Sequence, residues 1–329
     1  MRILATLLGL LGLAVALVAF AARYLPITGH PSLIVAAASP YLAVAAPVAV
    51  LLLVLGRRWL LTVVALATTV ALLLVYVPRY LAPSDADLAP SDADVAAVDV
   101  RVLTTNLGMG QADPPALVAL ASDTADIVAV QEMTQEAADG LSEAGMDAVF
   151  PYRVVLPAPL ASGIGIWSRH PIVNSGRIDG YALPMLGTRV RIPGVVVDTT
   201  VLSIHLAAPW PQPIDTWLYD IAQMPDTLTE VGRDAGAGAV IVAGDFNATA
   251  DMAPFRRLLA TGYGDAAADA AAGLARTYPG RGSRPPLLGI DHVLTKNASA
   301  ATARTVDVPG ADHRGLLATV RVPVDMTRS

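Results

Sequence analysis

At 329 residues, 54% of them hydrophobic and with a mean hydropathy of +0.54, the chain is too apolar for an ordinary water-soluble protein. The excess sits at the front, since residues 1–78 hold no Asp or Glu; the rest carries all 28 acids against 18 of the 22 Lys and Arg, a formal charge of −10, a poor match for a long nucleic acid, whose binding rests on basic side chains. Cysteine is absent, which excludes a disulfide framework and any thiolate metal site.

The first predicted element is Ile3–Ala22, an uncharged apolar run of 20 residues. As a helix it spans about 30 Å, the hydrocarbon thickness of a bilayer. A cleavable signal peptide is the rival reading, because Arg2 precedes the run. Two further runs argue against it. Leu33–Leu55 is apolar but contains Pro40 and Pro47, which predicts a kinked span, and Trp59–Val77 is uninterrupted. The sequence therefore predicts a membrane domain over 1–80 with three transmembrane helices, at about 3–22, 33–55 and 59–77. Arg2 with the amino terminus and Arg57-Arg58 in the short loop define the cytoplasmic side, against Arg23 and Arg79 outside. Everything after residue 80 then lies outside the cytoplasm. Leu81-Ala-Pro-Ser-Asp-Ala-Asp87 repeats at once as Leu88-Ala-Pro-Ser-Asp-Ala-Asp94; such a composition reads as a linker, over 81–97.

From 98 to 323 the chain is long enough for one large core, followed by a tail over 324–329. Strand-like runs occur at Val98–Thr104, Ile127–Val130, Gly163–Trp167, Val195–Ile204, Ala239–Val242, Ile290–Leu294 and Leu316–Val322. Helical patterns intervene. Asp113 can cap a helix beginning at Pro114, Thr134–Ala144 and Pro254–Leu259 look helical, and Asp215–Gly232 does too, with Pro225 as a break or kink. Mixed strands and helices rich in Val and Ile predict an α/β layered domain.

The polar punctuation of these strands points to chemistry. Ala239-Val-Ile-Val-Ala-Gly-Asp-Phe-Asn-Ala248 reads as a buried strand ending in Asp245 and Asn247. Residues i and i+2 of a strand share a face, so a carboxylate able to take a proton from water stands beside an amide able to hold a phosphoryl oxygen. The plain alternative is an Asx-rich turn. Asn106 ends the first strand, Gln131-Glu132 the second, and His205 a third. Asp291-His292 lies inside an apolar strand, and Asp312-His313 precedes the last one. Singly each has a structural account as a turn former, a helix cap or a buried histidine. Together they are six clusters of metal- and phosphate-handling residues, mostly at strand ends, where sites gather. His292 matches no catalytic position and reads as a strand residue. Asn247-Ala-Thr249 and Asn297-Ala-Ser299 are formal glycosylation sequons; a glycan on Asn247 would block the site, so the first is discounted.

In this order Asn106, Gln131-Glu132, His205, Gly244-Asp-Phe-Asn247, Asp291 and Asp312-His313 resemble the endonuclease/exonuclease/phosphatase superfamily of DNase I-like proteins. Ile166-Trp-Ser-Arg-His-Pro-Ile172, His205-Leu-Ala-Ala-Pro209 and Thr277-Tyr-Pro279 add smaller matches. With its apolar front, the chain is similar to membrane-anchored actinomycete members, the VanJ type linked to teicoplanin resistance among them. The resemblance implies an α/β (α+β) four-layer sandwich, two packed β-sheets flanked by helices, behind the transmembrane helices. It also implies metal-dependent hydrolysis of a phosphate ester or pyrophosphate. Glu132 would hold the cation, Mg²⁺ with Mn²⁺ as the alternative. Asn106 would complete that shell or hold the phosphate, and Asp312 would be a second ligand or an orienting group. Asp245 would activate water, with Asn247 positioning it or a phosphate oxygen. His205 and His313 would donate to the phosphoryl group, Asp291 would orient His313, and Tyr278 would border the leaving group. The expected partners are the lipid bilayer and a phosphate-ester substrate. Anchoring favours a lipid-linked one, and the acidic charge disfavours nucleic acid. The alternatives are a nuclease or phosphodiesterase on the outer side, or a catalytically silent binding protein of the envelope.

Overall fold

The computed structural model describes residues 1–81, 96–282, 285–325 and 327. From residue 82 onward the tandem Pro/Ser/Asp repeat lies outside them. The chain divides into two compact units, one made of Met1–Leu81 with Thr249–Arg257, the other of the remaining described residues.

The first unit contains helices α1 (Arg2–Ala22), α2 (His30–Leu42), α3 (Ala45–Leu55) and α4 (Trp59–Tyr76), the last continued by a 3-10 turn over Val77–Tyr80. Two helices, Arg2–Ala22 and Trp59–Tyr80, are long and apolar enough to cross a membrane; α2 and α3 together pass the same test but are bent by 64° at the break between them. The predicted middle span over 33–55 is thus a broken pair and not one kinked helix. The cause is local. Pro47 has no N–H to offer the carbonyl of Ala43, and its ring crowds that carbonyl. The Ala43 carbonyl instead accepts from Ala46 N at 3.1 Å, a tighter turn that starts a new helix.

In the second unit β1 (Ala97–Asn106), β2 (Ile127–Gln131), β3 (Tyr152–Leu156), β4 (Ile164–Ser168), β11 (Ser299–Val306) and β12 (Gly315–Pro323) form one sheet, in the order β11-β12-β1-β2-β4-β3. The other holds β5 (Ile172–Ile178), β6 (Met185–Val190), β7 (Thr199–His205), β8 (Val240–Asp245), β9 (Gly264–Asp265) and β10 (Asp291–Lys296), in the order β5-β6-β7-β8-β10-β9. Val100, Val102, Ile127, Ile164 and Ile166 of the first sheet pack on Leu186, Val201, Ile241, Ala243 and Val293 of the second. The first sheet's other face, with Leu103, Val128, Val130 and Trp167, packs on Leu117, Leu141 and Phe150. A strand covered on both faces reads as a continuous apolar run, which is why the central strands were predictable. The edge strands β3, β5 and β11 carry mostly polar or half-exposed residues and left no such run.

Helix α5 (Pro114–Thr124) starts where its Asp113 cap predicts, with Asp113 accepting from Ala116 N, and α6 (Gln135–Glu143) starts one residue into the predicted run, because Thr134 is its cap and accepts from Ala137 N. The short α7 (Met146–Val149) follows. Helix α8 (Ile214–Ala235) runs as one helix through Pro225, so that of the predicted break or kink the break does not occur. Proline forfeits one backbone bond there, but the stripe Trp217, Ile221, Met224 and Leu228 is buried on both sides of it, and that burial outweighs the loss. The expected strand 195–204 begins only at Thr199, because Pro193-Gly194 starts a turn in which Val195 N bonds back to Ile192 O. The last helices are α9 (Ala253–Leu259) and α10 (Ala266–Asp269).

Two strand pairs are parallel, β1 with β2 and β7 with β8. Their carboxyl ends carry Asn106, Gln131-Glu132, His205 and Asp245. Strand β10 runs antiparallel to β8 and begins opposite its end, pairing Asp291 with Asp245. One edge of the sandwich therefore gathers the polar residues of five strands.

Candidate active site

Asp245 lies at the centre of this edge, beside His205 in β7 and opposite Asp291 in β10. Only glycine fits before it. A Cβ on Gly244 would stand 2.0 Å from the carbonyl oxygen of Ile204, and its φ is +157°. Asp245 is buried. Its Oδ2 accepts from Asn106 Nδ2 at 3.1 Å and its Oδ1 from Asn247 N at 2.8 Å. Burial, and then the nearby Asp291 carboxylate, raise its pKa to about 6, although His313 and His205 pull the other way.

Asn106 joins the two carboxylates. Its Nδ2 donates to Glu132 Oε1 as well as to Asp245, both at 3.1 Å, and its Oδ1 accepts from Gly108 N. Glu132, at φ +57°, holds a conformation uncommon for a residue with a Cβ and typical of functional sites. Its Oε2 accepts from Met109 N at 2.7 Å. His205 donates through Nδ1 to the Ala161 carbonyl at 3.2 Å, which turns Nε2 toward Glu132 Oε1 and Asp245 Oδ2, at 3.7 and 3.8 Å.

His313 and Asp291 form a dyad, Nδ1 to Oδ2 at 2.9 Å, and His313 Nε2 faces Asp245 Oδ2 at 3.8 Å. Burial alone would lower the histidine's pKa; the charges of Asp291 and Asp245, the Asp291 hydrogen bond and Asp312 outweigh it and raise the value to about 10. His313 is thus cationic at neutral pH, between two carboxylates. Tyr278 packs on it with ring centroids 5.0 Å apart. The pKa of its hydroxyl is raised by burial and then by Asp312, Asp245 and Glu132.

The predicted residues Asn106, Glu132, His205, Asp245, Asn247, Asp291, Asp312, His313 and Tyr278 therefore meet in one place, with two differences in detail. The amide of Asn247, at φ +48°, donates to the Leu206 carbonyl at 2.8 Å, and so ties its turn to the His205 strand. Asp312 sits against the Gly108 turn, where a Cβ would come 2.6 Å from Oδ1. Sequence reasoning passed over Thr277, whose buried hydroxyl accepts from the N–H groups of Ile290 and Asp291 at 3.3 and 3.4 Å. Gln131, named there only beside Glu132 and without a role, bonds Thr104 of its own sheet and Ser203 of the other. A lone Thr before Tyr-Pro, or a Gln inside an apolar run, gives no periodic signal.

The donor set suits a hard divalent cation. Glu132 and Asp312 offer carboxylate oxygens, the ligands that Mg²⁺ prefers, whereas the Asn106 amide turns Nδ2 to the carboxylates and Oδ1 to Gly108 N. Asp312 Oδ1 and Asp291 Oδ1 are buried with no hydrogen-bond partner among the described residues, a costly arrangement for a carboxylate that a cation would relieve. Ligand atoms of Asp245, Asp291 and His313 also lie within 4.8 Å of one another. In that group Asp291 and His313 are already bonded to each other at 2.9 Å.

A model of the endonuclease/exonuclease/phosphatase family matches residues 103–314. No curated protein matches the sequence significantly. Among solved structures the chain is similar to a 3′ phosphatase from Neisseria bound to a product DNA hairpin, at 18% identity and a TM-score of 0.55, covering 67% of this chain and 98% of that one. It is also similar to a mannosyl-6-phosphatase from Bacteroides thetaiotaomicron, at 14% identity and 0.52, over 67% and 99%. A third similar structure, from Leptotrichia buccalis, is at 16% and 0.52, over 67% and 99%. At these identities the likeness concerns the fold.

Proposed function

The chain belongs to the endonuclease/exonuclease/phosphatase family, and on that premise we propose that it is a membrane-anchored, Mg²⁺-dependent hydrolase of phosphate esters or pyrophosphates, working outside the cytoplasm on a lipid-linked substrate of the cell envelope. A role like that in teicoplanin resistance belongs to the same reading. The observation that carries the hydrolytic part is the cationic His313, held by Asp291 at 2.9 Å and facing the buried Asp245 at 3.8 Å. A base and a hydrogen-bond donor then flank one point, where a phosphoryl group and a water can meet.

Glu132 and Asp312 would hold the cation, and Asn106, which donates to Glu132 through Nδ2, would hold that carboxylate in place. When bound it polarises the phosphoryl group and neutralises charge that develops in the transition state. Asp245, held by Asn106 and by Asn247 N, takes a proton from the attacking water. The water oxygen bonds to phosphorus as the bond to the leaving oxygen breaks. His313 Nε2–H and His205 donate to the non-bridging oxygens. Asp291 fixes the His313 tautomer, since Nδ1 can only donate to a carboxylate, and favours its charged form.

Two observations support the membrane part. Gly56, at the end of α3, lies against Thr6, near the start of α1. The guanidinium groups of Arg23 and Arg79 flank the ring of Tyr76 at 5.4 and 5.1 Å, so α1 and α4 end on the same side of their unit. Both facts fit a bent α2–α3 pair that crosses once and returns. An amphiphilic substrate is supported by apolar side chains next to the site groups. Leu160, 71% exposed, neighbours the Ala161 carbonyl that holds His205; Trp210, 60% exposed, follows that strand; and the exposed Met109 follows the Gly108 turn.

The test is a panel of substrates offered to the full chain in detergent, with Mg²⁺ and with chelator: a prenyl pyrophosphate, a soluble sugar phosphate and a 3′-phosphorylated DNA. Metal-dependent turnover with the prenyl substrate preferred is expected. Turnover of DNA alone would move the reading to the nuclease alternative, and no turnover of any would move it to a binding protein.

A further inference from the structure

Strand β10 places neighbouring residues on opposite faces of its sheet. Asp291 points into the site. His292 points away from it, is buried on the outer face, and meets the ring of Phe246 edge-on at 5.5 Å. Its Nε2 lies 2.9 Å from the carbonyl oxygen of Ala248, and its Nδ1 lies 3.2 Å from Oδ2 of the buried Asp265. A carbonyl and an ionised carboxylate only accept, so both ring nitrogens donate and the ring is the imidazolium. Asp265 is itself fixed, since its Oδ1 accepts from Ala267 N and so caps α10. The charge is in keeping with its surroundings. Burial lowers the pKa of His292, but the Asp265 charge and hydrogen bond, the Ala248 carbonyl and Asp291 together raise it.

The segment held at Ala248 carries Asp245 and Asn247. Its other anchors are also visible. Phe246 N donates to Ile290 O at 3.0 Å, Trp217 Nε1 donates to Phe246 O at 3.2 Å, and Asn247 Nδ2 donates to Leu206 O at 2.8 Å. Asn247 is in the left-handed region, a conformation that persists only when its surroundings impose it. Past Asn247, the anchor at Ala248 is a charge-assisted bond, stronger than a neutral one.

We propose that His292 is a positioning residue: by donating to both Ala248 and Asp265 it locks the Asp245–Ala248 turn, and so keeps the base and Asn247 aimed at the phosphoryl group. The inference rests on Asp245 serving as the base of the proposed hydrolysis. It assigns a role to the second His–Asp pair of the unit, on the face of the sheet away from the substrate.

The test uses the full chain in detergent with two substitutions. His292→Phe keeps a flat ring and donates nothing, whereas His292→Gln restores one N–H for Ala248. Tyr263→Phe is the control, because it removes the bond from the Tyr263 hydroxyl to Leu228 O without touching the turn. For His292→Phe, hydrogen exchange at the Phe246 and Asn247 amides should quicken at least about tenfold, and kcat should fall roughly 10- to 100-fold with KM within about twofold, as small misplacements of a catalytic group do. His292→Gln should recover most of both. Tyr263→Phe, compared at the same interval below its Tm, should change neither. Exchange at the parental rate in His292→Phe, or a His292→Gln protein as impaired as His292→Phe, overturns the proposal. A parent that hydrolyses no phosphate ester would instead overturn the reading of the site, and the exchange measurement would still decide whether His292 holds the turn.

Discussion

In the proposed mechanism three ionisable side chains set the chemistry, each held in its own way. Glu132 is held by two N–H donors, from Asn106 and Met109. Asp245 is buried beside Asp291, and His313 is buried between two carboxylates. Glu132 and Asp245 should therefore fail differently. Glu132→Gln removes a ligand charge, so the Mg²⁺ concentration for half-maximal rate should rise while the rate at saturation largely recovers. Asp245→Asn removes the base and should cost about 10²- to 10⁴-fold in kcat at any Mg²⁺ concentration. Metal titrations of both variants decide it, and full rescue of both by excess Mg²⁺ would take the base role from Asp245. The pH profile follows from the same two groups. Asp245 must be ionised, so activity should rise through about pH 6, and His313 must be protonated, so activity should fall through about pH 10. Asp291→Asn removes the charge that raises His313, and the alkaline limb should move down while the acid limb moves far less. The same sign governs stability. His313 binds its proton more tightly folded than unfolded, so its contribution is complete below pH 6.5 and is lost as pH rises through about 10. Melting temperatures of parent and variant across that window should converge at the alkaline end.

At the scale of elements, the decisive unit is the β7–β8–β10 ribbon. Its register sets His205, Asp245 and Asp291 side by side, and Gly244 permits it, because any larger residue would meet the Ile204 carbonyl. Gly244→Ala must push β7 from β8 or distort the turn. Overpacking of this kind costs about 3 kcal/mol, and here it also moves His205 relative to Asp245. The expected result is a lower melting temperature, together with a fall in kcat that saturating Mg²⁺ does not reverse. Unchanged melting and turnover would mean that the strands slide to admit the methyl group. Helix α8 makes the complementary point. Pro225 is a local stop signal, yet the helix continues because its apolar stripe is buried on both sides of the proline. Where a stripe is weakly specified, as around Pro47 between α2 and α3, the proline prevails and the helix breaks.

For the whole molecule the open proposal is topology. Arg2 and Arg57-Arg58 on the cytoplasmic side, with Arg23 and Arg79 opposite, would put the hydrolase unit outside the cytoplasm. A reporter active only outside, fused after residue 95, should be active, and one active only in the cytoplasm should be silent. The reverse pair of results would invert the orientation and remove the argument for an envelope substrate. The −10 charge after residue 78 belongs at this scale too. It works against nucleic acid while leaving a small phosphate ester free to bind at a cationic histidine and a metal.

The sequence by itself determined the parts that have a short-range signature. Apolar runs about 20 residues long marked the two helices long and apolar enough to cross a membrane, and runs covered on both faces marked the central strands. Asp113 marked a helix start, and the polar motifs, mostly at strand ends, marked nine residues that the fold brings together. What it could not carry is set by contacts between segments far apart in the chain. Asn106 bridging Glu132 and Asp245, and Gln131 linking two sheets through Ser203, depend on how one sheet packs on the other, which no local pattern encodes. The edge strands depend on a neighbour for their hydrogen bonds rather than on an apolar run of their own. His292 shows the limit most plainly. Its position beside Asp291 suggested only a strand residue. Its two partners, Ala248 and Asp265, are 44 and 27 residues away, and only the folded sheet brings them to the two nitrogens of one ring.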